Sequence, residues 1–144
     1  KPLAGSVINQ EIVTNSIFTT VAVNAGTSVW TPSYTPVSDN SDVYATFNLN
    51  LNPHRSNGPD ARFTYALWRD STQVLNATYM GVYDYGNSGN WSKVKYTDTI
   101  KHTNTSTSAI TYDVKLSTQG LCISVDFNAQ ATPPSQVIFT EIAQ

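Results

Sequence analysis

Two histidines and one cysteine are the side chains here with ordinary pKa values nearest neutrality, so they bound what catalysis the chain could support. A hydrolytic triad needs a Ser or Cys nucleophile, a histidine beside it and a carboxylate behind the histidine. His54 falls in Asn52-Pro53-His54-Arg55-Ser56-Asn57-Gly58-Pro59-Asp60, and His102 opens the polar run to Ser108. Both stretches read as loops, so both imidazoles are expected in solvent. Cys122 sits in Leu121-Cys122-Ile123-Ser124-Val125, where strand alternation puts it on the face opposite Leu121 and Ile123, as a structural residue. No G-x-S-x-G elbow, phosphate-binding glycine loop or H-E-x-x-H occurs. The ten Asp and Glu residues are scattered singly, and none singles out a partner for the paired-carboxylate chemistry of a glycosidase, although such a pair need only meet in space.

Binding chemistry has better material. Asp39-Asn40-Ser41-Asp42 packs oxygen donors that suit a hard cation such as Ca2+, with Asp60 in the next loop. The spacing is not that of an EF-hand, and Asx-rich turns form for backbone reasons alone, so a plain turn is expected, with no metal and no cofactor. The run from Tyr79 to Trp91 combines Tyr and Trp with Gly, Ser and Asn, a composition typical of recognition loops. Tyr79, Tyr83, Tyr85, Asn87, Asn90 and Trp91 are its candidate ligand contacts; the same aromatics could equally fold onto the core or into a contact between subunits. Three N-x-[ST] triplets, at Asn76, Asn90 and Asn104, are expected by chance in so Asn-, Ser- and Thr-rich a chain.

The elements that must position these residues are strands. Of 144 residues, 19 are Thr, 15 Ser and 13 Asn, while charged residues make up 12%, about half the usual share. An aromatic content of 11% argues against disorder. Thr, Val, Ile, Tyr and Phe suit a pleated, half-buried surface, and Ser, Asn, Gly and Pro the turns between strands. A net charge of −2 gives none of the basic field that nucleic acid requires. No run of about 20 apolar residues is present to span a membrane. Lys1-Pro2-Leu3-Ala4-Gly5 forms no apolar signal core, and the absence of an initial Met is compatible with a processed protein or with a piece of a longer one. One cysteine makes no intrachain disulfide and so does not report a compartment.

Alternation and short apolar runs predict strands over Ser6–Thr14, Ile17–Val23, Thr27–Thr31, Val43–Leu51, Arg62–Arg69, Gln73–Tyr79, Lys93–Ile100, Ala109–Leu116, Leu121–Phe127 and Gln136–Ile142. Val43, Ala45, Phe47, Leu49 and Leu51 share one face, as do Phe63, Tyr65 and Leu67. Nine or ten short strands at such spacing, with no linker and no repeat, predict one all-β domain over residues 1–144, an antiparallel, jelly-roll-like sandwich.

Several motifs then fall in a telling order. Val29-Trp30-Thr31-Pro32 precedes the alternating strand to Leu51, Tyr65-Ala66-Leu67-Trp68-Arg69-Asp70 ends on an Arg-Asp turn, and Tyr96-Thr97-Asp98-Thr99 leads to the stretch Ser106 to Lys115. The chain closes on Ser135 to Gln144 with Glu141-Ile142-Ala143. In this order the chain resembles a module of tailed-phage structural proteins, found in fibres, minor virion proteins and capsid decorations of phages of cyanobacteria and other marine bacteria. It departs from that pattern at Phe127-Asn128-Ala129-Gln130, where such modules often carry Asn-Arg. The resemblance implies a jelly roll, often a homotrimer, with no enzymatic residues, located on the virion beside other virion proteins and outside the cell once assembled.

The expectation from sequence is therefore a non-catalytic virion structural module, a capsid decoration or fibre tip. The alternative is a glycan- or receptor-binding module resting on the Tyr79–Trp91 loop, with a host surface glycan as partner. A polysaccharide hydrolase ranks third for want of a catalytic constellation.

Overall fold

The computed structural model describes residues 2–55, 61–80, 94–120, 122–128 and 133–144. Eleven strands run through them: β1 Val7–Asn15, β2 Thr19–Val21, β3 Thr27–Trp30, β4 Ser33–Tyr34, β5 Ser41–Arg55, β6 Ala61–Arg69, β7 Thr72–Met80, β8 Val94–Asn104, β9 Ile110–Gly120, β10 Cys122–Phe127 and β11 Ser135–Ala143. All pairings are antiparallel.

Several strands are halves of one row. β1 lies along β11 and β2 along β10. β11 and β10 occupy successive lengths of the same side of β5, since Leu51 faces Phe127 of β10 on one side and Val94 of β8 on the other. β3 and β4 likewise share one side of β9, parted at Pro32, whose carbonyl still accepts from Tyr112 N–H at 2.9 Å. Eight rows result. Numbered in chain order, they run 1-8-3-6 in the first sheet and 2-7-4-5 in the second. The fold is an antiparallel β-sandwich, and this row order is the double Greek key of a jelly roll.

Period-2 patterning builds the core. Val43, Ala45, Phe47, Leu49 and Leu51 point inward from β5, and Phe63, Tyr65 and Leu67 meet them from β6 with Ile110, Tyr112, Val114 and Leu116 from β9. Aromatic rings tie the layers together: Tyr34 stacks on Phe139 at 5.0 Å, and Tyr112 contacts both Phe139 and Phe47 at 5.6 Å. Such pairs add about 0.5–1.5 kcal/mol beyond their buried area.

Three expected boundaries shift. Asn52–Arg55, read as loop, continues β5 and pairs with β10. Pro53 is tolerated there because, past Leu51, β5 has β10 on one side and no paired strand on the other among the described residues, so no ladder donor is lost. His102 to Asn104, also read as loop, completes β8 against Val43 to Ser41. Ile17 and Phe18, read as strand, lie in the break between β1 and β2. The break has a local cause, since Asn15 Oδ1 accepts from Ile17 N–H at 2.7 Å and turns the chain.

The break in row 1 is aligned with the one between β10 and β11, and Asn128 pins them together. Its Nδ2 donates to the carbonyls of Asn15 (2.7 Å) and Ile17 (3.1 Å), while its Oδ1 accepts from Ser135 N–H (3.0 Å). Asn128 itself has φ 57°, a left-handed conformation that asparagine tolerates better than most residues.

Glu141 breaks the inward apolar pattern of β11 and is fully buried. Four donors surround its carboxylate: Tyr34 O–H (2.6 Å) and Val37 N–H (2.9 Å) on Oε2, Ser38 N–H (2.9 Å) and Ser41 O–H (2.7 Å) on Oε1. Asn9 Nδ2 supports the far side of Tyr34 Oη at 3.0 Å. Burial pushes the Glu141 carboxyl upward, but the four donors outweigh it and hold the group below the ordinary carboxylate range.

Two predictions arise here. Asn128→Ala will lower unfolding stability by about 3 kcal/mol, through three lost hydrogen bonds and a left-handed alanine, and Asn128→Gly will recover about 1 kcal/mol of that, read from urea midpoints at constant m. Glu141 is ionised more readily folded than unfolded, so its contribution is full above the unfolded value near 4.3 and is lost as pH falls through the lower folded value. Glu141→Gln turns an amide N–H2 toward two of the donors; it will cost about 3 kcal/mol or more at pH 7 and shrink the acid-induced loss of stability in a pH series of melts.

Candidate functional site

The aromatic run singled out from sequence falls largely outside the described residues: Tyr83, Tyr85, Asn87, Asn90 and Trp91 are not among them, and Tyr79 is placed through its backbone, paired with Phe63 near the end of β7. Of the three N-x-[ST] triplets, Asn76 lies exposed on β7, while Asn104 is buried and donates from Nδ2 to Ser38 O at 2.5 Å.

The acidic turn before β5 is occupied with structure. Asp42 accepts from Thr103 Oγ1 (2.9 Å) and Gln144 Nε2 (2.8 Å) on Oδ1 and pairs with Lys101 Nζ (2.8 Å) on Oδ2. The Lys101 hydrogen bond, more than the others, holds its carboxyl below the usual value. Asp39 is exposed, and Asp60 lies outside the described residues. The turn's backbone serves Glu141 by delivering Ser38 N–H and Ser41 O–H. Among the described residues no three His, Cys, Asp or Glu side chains gather as a metal site.

His54, expected in solvent, is instead half-buried on β5, with Nε2 2.6 Å from Asp126 Oδ2. Asp126 is itself buried and accepts from Thr20 Oγ1 at 2.7 Å. Alternation puts this cluster on the outer face of the first sheet, because the neighbours of Asp126, Val125 and Phe127, are in the core. Cys122 belongs to the core, its Sγ–H donates to Ser124 O at 3.2 Å, and burial pushes the thiol's pKa up. The imidazole and the thiol thus lie on opposite faces of the same sheet.

The outer face of the second sheet carries the arrangement that sequence reading missed. Trp68 lies on the outward parity of β6, between inward Leu67 and the β6–β7 turn. Its ring carries Lys115 Nζ at 4.6 Å from the centroid, and Lys115 in turn pairs with Asp113 Oδ2 at 3.4 Å. Asp113 Oδ1 accepts from Ser28 Oγ at 2.5 Å. At the end of the row the two-residue turn Asp70-Ser71 has φ values of 44° and 71°, both left-handed. Hairpins of this type are normally made by Asn-Gly, and Asp70 is held by donating its N–H to Thr111 O and accepting Thr111 N–H on Oδ1, each at 2.9 Å. The register also slips beside the tryptophan: Leu67 pairs with Leu75 but Trp68 with Gln73, a bulge. Trp68, Asp70, Ser71, Thr111, Asp113 and Lys115 help to line a groove of about 360 Å3. The visible signal was an aromatic on the polar face of an alternating strand, followed by a hairpin turn without glycine.

No family model matches the chain, and no curated protein matches it. Among solved structures it is similar to part of dimeric latent PorU from Porphyromonas gingivalis, with a TM-score of 0.59 at 10% identity, over 98% of this chain and 13% of that one. It also superposes on VP2 of the infectious bursal disease virus subviral particle, with a TM-score of 0.43 at 15% identity, over 96% of this chain and 39% of that one. The chain thus spans a small part of the first protein and well under half of the second. At such identities the PorU likeness bears on the fold alone, and the VP2 superposition is too loose to add to it.

Proposed function

We propose that the chain is a structural module of a virus particle, a capsid decoration or fibre domain that assembles with copies of itself, and that it carries no enzymatic step. Support comes from the ordered motifs shared with tailed-phage structural modules and from the jelly roll, an architecture used by capsid domains among others. The observation that carries self-assembly is the row 1 edge of the first sheet, which pairs with no further strand among the described residues. Of the eight large apolar side chains that stand exposed among the described residues, six (Leu3, Val7, Ile12, Ile17, Phe18 and Val23) lie on or beside row 1, and Ile123 lies on the neighbouring row.

Protein edges are usually blunted by charge. Here Glu11 is the one formal charge between Pro2 and Ser38. A shallow groove of about 590 Å3 adjoins this edge at the end of the sandwich, with Pro2, Ile8, Val37 and Ala143 as its apolar lining and Asp39 and Gln144 among its polar one. Apolar side chains exposed singly are ordinary on a protein surface, whereas their concentration along one sheet edge is what points to an interaction surface. The tailed-phage modules that the chain resembles are often homotrimers, so a homotrimer joined through this edge is the proposed state, with other virion proteins as further partners and the particle surface as location.

Light scattering behind size exclusion is expected to give three times the 15.7 kDa chain mass, held on dilution. The pair Ile12→Asp with Phe18→Asp is expected to yield a folded monomer. A wild-type monomer throughout the micromolar range would overturn self-assembly, and absence of the protein's peptides from purified particles by mass spectrometry would overturn the virion reading.

A further inference from the structure

We infer that the groove beside Trp68 on the outer face of the second sheet is a binding site for a neutral saccharide ring, with Trp68 as apolar wall and Asp70, Asp113 and Lys115 as its polar contacts. Its residues are other than those of the Tyr79–Trp91 run, and it does not rest on how copies of the chain assemble.

Three local irregularities converge there, each unfavourable for a plain sheet. A bulge interrupts the β6–β7 ladder beside Trp68, its extra residue Val74 lying on β7 opposite the Leu67–Trp68 step. Two consecutive non-glycine residues, Asp70 and Ser71, hold left-handed conformations in a turn that Asn-Gly would make without strain. A large aromatic lies half-buried on the outward face of the strand, which it shares with Arg62, Thr64 and Ala66. Their joint result is one groove with an indole wall, a carboxylate and a hydroxyl at one end, and the Asp113–Lys115 pair on the floor.

The ligand class is set by this chemistry. A pyranose offers C–H groups to an aromatic ring and hydroxyls that both donate and accept. Asp70 Oδ1 accepts from Thr111 N–H, while Oδ2 has no partner among the described residues and is free to accept from a hydroxyl. Lys115 Nζ lies over the Trp68 ring and against Asp113, so a sugar ring approaching the indole meets its remaining ammonium protons at that face. Two carboxylates against one ammonium leave the groove negative, which disfavours acidic sugars and phosphate. A volume of about 360 Å3 lies at the small end of ligand sites and suits one or two rings.

The test titrates the full chain with D-glucose, D-galactose, D-mannose and N-acetyl-D-glucosamine separately, and with D-glucuronate as the acidic control. The readout is the Trp68 indole N–H resonance in 1H–15N spectra. At least one neutral sugar is expected to shift that resonance saturably, with a Kd on the order of millimolar, and glucuronate to bind about tenfold more weakly or not at all. Trp68→Ala should abolish binding, monitored on the backbone amides of Thr111 and Lys115, and Asp113→Asn should weaken it about tenfold. Ser71→Gly relaxes the turn, and a Tm raised by a few degrees would show that the strain is real. The edge variant Ile12→Asp with Phe18→Asp should bind as wild type does, which separates this site from the assembly reading. No saturable shift with any neutral sugar, or one that persists at Thr111 and Lys115 in Trp68→Ala, would overturn the inference. If Trp68→Ala does not fold, Trp68→Phe, expected to retain weakened binding, takes its place.

Discussion

The buried carboxylate of Glu141 is the constraint around which the rest of the fold is arranged. An ion of this kind cannot be taken from water unless its oxygens are satisfied, and here that requirement is met by four donors: Tyr34 at the end of β4, Val37 and Ser38 in the segment that follows, and Ser41 at the start of β5. Satisfying it fixes the path by which the chain crosses from the second sheet back to the first. The same requirement sets the position of Tyr34, whose ring then stacks on Phe139 and leads into the aromatic contacts with Tyr112 and Phe47. A hydrophobic residue at 141 would bury as much surface, yet it would leave Val37 and Ser38 N–H without acceptors and the crossover free to wander. The acidic turn at Asp39–Asp42, which looks like cation chemistry in sequence, is better understood as part of this anchorage.

Much of the fold was legible because alternation is local. The inward set of β5 could be read directly, and β6, β9 and β11 followed from the same rule. What could not be read depended on neighbours. Asn52-Pro53 is a breaker by composition, but the strand survives because its donor-free side has no partner to lose. Ile17 and Phe18 look like strand, yet Asn15 and Asn128 bend the chain away from the ladder using groups 111 and 113 residues apart in sequence. The division of three rows into collinear halves is a property of register across the sheet, and no single segment carries it.

The candidate site was less legible for the same reason. Trp68, Asp113 and Lys115 become neighbours because β6 pairs with β9, and His54 meets Asp126 across 72 residues. Composition drew attention to Tyr79–Trp91, where aromatics are concentrated in sequence. The groove beside Trp68 draws its side chains from separate strands, each ordinary alone. Only the alternation of β6, which sets Trp68 against Phe63, Tyr65 and Leu67, hinted at an outward aromatic.

The two ends of the sandwich's chain leave side by side: Gly5 N–H donates to Ala143 O at 2.8 Å, and Ala143 N–H to Ser6 O at 2.9 Å. Tension applied at these two points would therefore act across the β1–β11 ladder from its end, parting bonds one after another like a zipper. Strands loaded along their length, with all bonds sharing the force in shear, would resist far more. A module of this topology is poorly suited to carrying load in line between its ends. Attached at that one corner, it could instead stand off to the side of whatever holds it, with both sheet faces and the row 1 edge turned outward and its core under no strain.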